Sequence, residues 1–250
     1  MSLNSENIAQ ILNANWFGSS NAIEISHISI DSRSMQNGVG TLFFALVGPN
    51  NNGHNYIAEL IQKGVRNFVV NTIPDNLNEK ANFLVVENTL DALQKFAGYY
   101  RNLYHFPIIG ITGSNGKTIV KEWLNFLLSP DFSIIRSPKS YNSQVGVPLS
   151  IISINENHNL GIFEAGISTT NEMSKLEQII KPTIGILTNL GSAHDEGFAN
   201  FEQKIKEKVG LFANAEILIY KKDKLVDAFL NSNLKTFSWS FHDSTANVFI

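Results

Sequence analysis

One stretch constrains this chain more than any other: Ile108-Ile109-Gly110-Ile111-Thr112-Gly113-Ser114-Asn115-Gly116-Lys117-Thr118. An apolar strand runs into small residues, and Lys117-Thr118 opens an amphipathic helix predicted over 117–128. Gly113 and Gly116 permit backbone angles and close approaches that a Cβ would block. Such a loop turns several N–H groups inward around phosphate oxygens, helped by the helix N-terminus. Lys117 is then expected to reach the β- and γ-phosphates, and Thr118 to ligate Mg²⁺ through its hydroxyl. The strict G-x-x-x-x-G-K-[ST] spacing is not met, because Ile111 takes its first glycine position and Gly110 lies one residue early. The competing reading of Lys117 is an ordinary solvated residue. A cation in the first helical turn opposes the helix dipole, however, unless an anion faces it.

The surroundings suit such a loop. From Pro107 onward, strands are predicted at 108–112, 133–136, 160–164, 184–189 and 216–220, with helices at 117–128, 171–181 and 201–213 between them. That alternation implies a parallel sheet with crossovers. Before Pro107 the pattern is less regular. Helical signals cover 8–12, the region of Tyr56 to Ile61, and a longer helix opening at Thr89-Leu90-Asp91; strands fit 26–31, 41–46, 67–71 and 83–87. The fold class read from this is α/β: a small mixed α/β amino-terminal domain over 1–105, then a phosphate-loop-type, mainly parallel sheet flanked by helices over 106–250. The last segment, 246–250, reads as a strand that stops without a turn or cap, so a domain cut short is expected.

Composition removes several function classes. With 19 basic and 22 acidic residues, the net charge of −3 gives no argument for nucleic acid or an anionic membrane as partner. The absence of cysteine excludes disulfides, thiolate metal sites and a cysteine nucleophile. No run approaches the eighteen or so apolar residues of a membrane span, and residues 1–6 lack the basic and apolar regions of a secretory signal. A cytoplasmic protein is expected.

Downstream of the loop, Leu160-Gly161-Ile162-Phe163-Glu164 is an apolar strand ending in a carboxylate, placed to face the ligand crevice of an open α/β sheet. His194 follows the 184–189 strand, so Glu164 and His194 are expected to end adjacent strands beside the phosphate loop. Taken singly, each also reads as a solvated loop-end residue, and Lys208, with Lys204 and Lys206 nearby, as part of a solvated helix face.

Together these residues resemble the Mur ligases. Thr112-Gly113-Ser114-Asn115-Gly116-Lys117-Thr118 is similar to their ATP loop, which accounts for the departure from the strict pattern. Asp31-Ser32-Arg33, Leu42-Phe43-Phe44-Ala45-Leu46 and Gly53-His54 resemble their UDP-sugar-binding domain. Asn142, Gly146-Val147-Pro148-Leu149, Glu164-Ala165-Gly166 and Thr188-Asn189 with His194 resemble the branch that joins D-alanyl-D-alanine to UDP-N-acetylmuramoyl-tripeptide. The resemblance implies an ATP- and Mg²⁺-dependent amide ligase of peptidoglycan synthesis whose third domain would follow Ile250. It implies nucleotide contacts from residues 113–118 and Asn189, metal ligation by Thr118, Glu164 and His194, and substrate contacts from Ser32, Arg33, His54 and Asn142. Lys117, His194 and Lys208 take catalytic roles, Lys208 matching a carbamylated lysine. Residues 207–212 also resemble fusions of this ligase to an alanine racemase. Three departures stand out: Lys208-Val209-Gly210 replaces Lys-x-Glu, Asn142-Ser143 replaces paired asparagines, and Tyr220 replaces an asparagine. The sister ligase that adds the third amino acid, and a non-catalytic nucleotide-binding module or switch, are the alternatives.

Overall fold

Leu42, Phe43 and Phe44 follow one another without polar alternation, as a strand must when both faces of its sheet are covered. The computed structural model, which describes residues 3–18, 24–33, 38–77, 80–191 and 195–250, places them at the heart of the first of two units, Met1–Tyr99 and Tyr100–Ile250. In chain order the first unit holds α1 (Ser5–Leu12), β1 (Asn15–Phe17), β2 (His27–Ser29), β3 (Thr41–Phe44), a 3₁₀ turn (Gly53–Tyr56), α2 (Ile57–Gln62), β4 (Asn67–Val70), β5 (Asn82–Val85) and α3 (Thr89–Arg101). The division falls inside the last turns of α3. The strands form a sheet of order β1-β5-β4-β3-β2, parallel except for β1 against β5. Phe43, Phe68 and Phe83 bury one face with Ile57, Leu60 and Val65, the Phe68 and Phe83 rings stacking at 5.7 Å. Phe44, on the opposite face, meets Phe96 of α3.

The second unit holds β6 (Ile108–Thr112), α4 (Lys117–Leu128), β7 (Ile134–Arg136), α5 (Gly146–Ile152), β8 (Leu160–Glu164), α6 (Glu172–Ile180), β9 (Ile184–Leu187), α7 (Phe201–Val209), β10 (Ile217–Lys221), α8 (Lys224–Asp227), β11 (Lys235–Ser240) and β12 (Val248–Phe249). Its sheet runs β12-β11-β10-β9-β6-β8-β7 with every pairing parallel. Val120, Leu124 and Leu128 of α4 pack on Ile109, Ile111, Leu160 and Ile162. From β6 the chain winds to the β7 edge, returns to β8, then passes over β6 to β9 and onward. The reversal beside β6 is a topological switch point, where open α/β sheets bind ligands at strand C-termini.

The α/β architecture and parallel sheet agree with the sequence reading, and several details differ. Glu164 and the segment after β9 do not end adjacent strands; β6 lies between them, so the phosphate loop separates the two. Asn88 rather than Thr89 caps α3, its Oδ1 accepting from Leu90 and Asp91 N. The helix expected over 201–213 stops at Val209 and tightens into a 3₁₀ turn, Gly210–Phe212. Strand β11 escaped the sequence reading because its pattern is inverted: Ser238 and Ser240 are buried while Phe237 is exposed. Ser238 tolerates this because its N and Oγ both donate to Asn247 Oδ1. Helix α5 opens on Gly146 with Pro148 in its first turn, a position where proline sacrifices no intrahelical bond. Among the described residues no helix is long and apolar enough to cross a membrane.

Candidate functional site

Strand β6 is wholly buried and ends at Thr112, where the chain must turn sharply to start α4. Gly113 makes the turn at φ +143°, and a Cβ there would lie 2.0 Å from Thr188 Oγ1 and 2.9 Å from Asn189 O. Gly116, at φ +82°, is the N-cap of α4, which has no side-chain cap among the described residues. The N-terminal amides of the helix therefore open toward the loop.

The segment after β9 braces this loop. Asn189 accepts from Ser114 N through its carbonyl at 2.8 Å and from Asn115 N through Oδ1 at 2.9 Å. Thr188 Oγ1 donates to Asn115 O at 2.6 Å, and Ser114 Oγ accepts from Gly191 N at 2.9 Å. Asn189, expected to touch nucleotide, thus also holds the loop's shape. The pairing of β6 with β9 puts Thr188 and Asn189 beside the loop. Beside it, at the ends of β9 and β10, lies a cavity of about 280 Å³ lined by Thr188, Asn189, Leu190, Lys221 and Asp223. Tyr220 is buried and its hydroxyl donates to Asp227, a bond that together with burial raises its pKa.

Cations crowd the loop. Lys117 Nζ donates to Gly113 O at 2.8 Å, and Lys208 Nζ reaches the same oxygen at 3.3 Å. Lys204, fully buried, donates to Gly191 O. Burial depresses the Lys117 pKa, partly offset by the Glu164 charge. Burial, then the charges of Lys117 and Lys204, push Lys208 down to about 8. Ammonium groups packed this way with a bare helix N-terminus make an anion site.

Opposite them, Thr118 Oγ1 donates to Glu164 Oε2 at 3.0 Å and lies 3.4 Å from Ser140 Oγ. Glu164 is fully buried at the end of β8, and its Oε1 has no hydrogen-bond partner, although Lys121 Nζ stands 2.9 Å away as an ion pair. Lys121 is likewise fully buried. The sequence reading passed over Lys121 and placed Lys204 on a solvated helix face, whereas both are fully buried. The available signal for Lys121 was its position one turn after Lys117, between the core residues Val120 and Leu124. The Thr118 hydroxyl and the Glu164 carboxylate are hard oxygen donors suited to Mg²⁺, which takes few protein ligands and fills the rest with water and phosphate oxygens. No cluster of three His, Asp or Glu side chains suited to metal occurs among the described residues.

The remaining expected residues fall in three places. Asn142 is beside this site: its carbonyl accepts from Gly166 N at 2.8 Å, just past Glu164. His194 lies outside the described residues. Ser32, Arg33 and His54 belong to the first unit, in the turns that follow β2 and β3, with Asn71 after β4. Arg33 makes a two-pronged exposed pair with Asp31, which holds the Asp31 pKa at about 2. Ser32 is buried and its carbonyl accepts from Lys63 at 3.3 Å. His54 Nδ1 is 2.9 Å from Asn52 Oδ1 and Nε2 accepts from Asn71 N at 3.3 Å, a pairing that suits the neutral ring favoured by its burial.

Comparisons with known proteins place the chain in a family. Residues 111–249 fit the family model described as Mur ligase middle domain, and residues 24–101 the model described as Mur ligase family, catalytic domain. A UDP-N-acetylmuramoyl-tripeptide–D-alanyl-D-alanine ligase of Rickettsia prowazekii is 35% identical over 195 residues, 78% of this chain and 42% of that one. The Synechocystis enzyme of the same name is 36% identical over 172 residues, 69% of this chain and 37% of the relative. Among solved structures, MurF from Acinetobacter baumannii superposes with a TM-score of 0.86 at 23% identity, over 96% of this chain and 53% of that one. MurF from Thermotoga maritima in complex with ADP gives 0.76 at 25% identity, over 87% and 51%. The chain spans about half the length of these proteins, or less.

Proposed function

The chain belongs to the Mur ligase family, and from that premise we propose that it is the UDP-substrate-binding and ATP-binding part of a ligase that joins D-alanyl-D-alanine to UDP-N-acetylmuramoyl-tripeptide. The observation that carries this reading is the facing of the phosphate loop by a buried carboxylate, Thr118 against Glu164 at 3.0 Å. The names of the relatives support the choice of branch. Because ATP and UDP-linked precursors are cytoplasmic, so is the proposed reaction.

In this proposal Lys117 and the amides at the start of α4 receive the β- and γ-phosphates, and Asn189 keeps the loop shaped for them. Thr118 and Glu164 hold Mg²⁺, with His194 assigned to a second ion. The metal supplies charge neutralisation for the transferring phosphoryl group. The γ-phosphoryl passes to the terminal carboxylate of the tripeptide, giving an acyl phosphate and ADP. The dipeptide amine attacks the acyl carbon, phosphate departs, and an amide remains. Ser32, Arg33 and His54 position the UDP-linked end, and Asn142 the peptide end near Glu164. Lys208 acts as a carbamate: its neutral amine adds CO₂ and releases a proton, which turns a third crowded cation into an anion.

The test is phosphate release with ATP, UDP-N-acetylmuramoyl-tripeptide and D-alanyl-D-alanine, run on the complete gene product and on residues 1–250 alone. Dipeptide-dependent turnover is expected from the former. Residues 1–250 should be slower by at least about 100-fold, since even small misplacement of reactants costs that much. Turnover only with the UDP-linked dipeptide and a single amino acid would assign the chain to the sister ligase. No nucleotide-dependent turnover with either pair would leave a binding module.

A further inference from the structure

Lys121 has no role in the scheme above, yet it is one of the few lysines removed entirely from water. Its ammonium donates to Ser137 O at 2.8 Å and to Lys139 O, and forms ion pairs with Glu164 Oε1 at 2.9 Å and Glu122 Oε1 at 3.2 Å. Glu122 is partly exposed and shared with Arg136, so it has other compensation. Glu164 does not. Among the described residues Lys121 is the only cation within ion-pair distance of it. Ser137 ties the arrangement together, since its Oγ accepts from Glu164 N at 3.2 Å while its carbonyl accepts from Lys121.

We propose that Lys121 is a positioning residue, the internal counter-ion that fixes the Glu164 carboxylate with Oε2 turned toward Thr118 before Mg-nucleotide arrives. The inference rests on the nucleotide-binding reading of the loop. A carboxylate sealed from water is sustained only by a partner charge with further bonds around it. Lys121 supplies that charge at Oε1, the oxygen that Thr118 does not contact. Two backbone carbonyls anchor its ammonium, so one carboxylate oxygen is held and the other presented. Lys117 cannot take this part, because its ammonium rests on Gly113 O.

The experiment measures ADP binding by calorimetry with Mg²⁺ and in EDTA, on wild type, Lys121→Met, Glu164→Gln and the double variant. Loss of a group that orients a metal ligand typically costs 10–100-fold in metal affinity. The Mg²⁺ enhancement of ADP affinity should therefore fall about 10-fold or more in Lys121→Met. Glu164→Gln should lose as much, and the double variant no more than either. Lys117→Ala, by contrast, should weaken ADP in both buffers. A wild-type Mg²⁺ enhancement in Lys121→Met, or losses that multiply in the double variant, would overturn the proposal. Thermal unfolding of the same four proteins covers the case in which Lys121→Met folds poorly. The double variant, which leaves no bare buried charge, should melt above Lys121→Met. If it melts no higher, Lys121 acts through the carbonyls of Ser137 and Lys139 alone and the proposal fails. That comparison needs no nucleotide. It decides the pairing even if wild type fails to bind Mg-ADP, an outcome that would count against the nucleotide-binding reading instead.

Discussion

Lys117→Ala should weaken Mg-ATP binding about 100-fold while leaving the unliganded chain at least as stable as wild type. Lys117 sits in the first turn of α4, where its charge opposes the helix dipole. Its ammonium rests on Gly113 O at 2.8 Å, a carbonyl it shares with Lys208. Burial lowers its pKa, which marks the unliganded cation as a liability to the fold. A phosphate anion reverses that balance. Truncating one partner of a desolvated, hydrogen-bonded charge pair costs about 2–5 kcal/mol, and about 2.7 kcal/mol corresponds to two decades in affinity. AMP, which lacks the β- and γ-phosphates, should lose far less affinity than ATP. Calorimetry with ATP, ADP and AMP, paired with thermal melts, separates these effects. Equal ATP affinity in wild type and variant would remove Lys117 from the site. A variant that binds weakly only because it has unfolded would show as a lowered melting temperature.

Lys208→Met should raise stability at neutral pH and abolish ligase turnover. The Lys208 amine is buried beside two other cations, and its pKa falls from the ordinary 10.5 to about 8. With a folded pKa below the unfolded one, the native state binds fewer protons than the unfolded chain between those two values. Wild-type stability must then rise as pH increases from about 8 toward 10.5, and the cost of the buried cation is fully present below 8. At 1.36 kcal/mol per unit the cost is on the order of 3 kcal/mol. In bicarbonate-free buffer, Lys208→Met should accordingly unfold at higher urea than wild type at pH 7, and this advantage should shrink by pH 10. The same low pKa supplies the neutral amine that carbamylation requires. With ¹³C-bicarbonate a carbamate signal should appear in wild type and be missing from Lys208→Met. A stability difference that does not change with pH, or a variant less stable than wild type at pH 7, would show that Lys208 is not a strained cation. Absence of the carbamate signal would dismiss the modification separately.

The site was legible in the sequence where its information is local. The phosphate loop occupies consecutive residues, and its strand, two glycines, lysine and helix start each obey short-range rules of backbone freedom and helix initiation. Glu164 was legible because an apolar strand ending in a carboxylate is an odd pattern. Lys121 was not, because a Lys-Glu pair on an amphipathic helix has the composition of a solvated face. What buries Lys121 is the return of residues 137–139 over it, and those residues are sixteen and more positions away. Ser238 and Ser240 hid β11 in a related way: Ser238 spends its N and Oγ on Asn247, nine residues on, and Ser240 Oγ accepts from His242 N and Asp243 N in the turn that follows.

By itself, then, the sequence determined the α/β class, the parallel sheet and the chemistry of its phosphate loop, because periodicity and turn chemistry act over a few residues. The tertiary structure alone decided the order of the strands. Right-handed crossovers are equally satisfied whether β9 lies beside β8 or across β6 from it, and only packing of the finished sheet puts β6 between β9 and β8. That choice has consequences at the site. It sets Thr188 and Asn189 on one flank of the loop as its brace and Glu164 on the other as its carboxylate. It also leaves Lys117 and Lys208 sharing a single carbonyl oxygen. Electrostatic energy depends on distance through space rather than along the chain, so the pKa of Lys208 and the pairing of Lys121 with Glu164 became determined only when the fold closed.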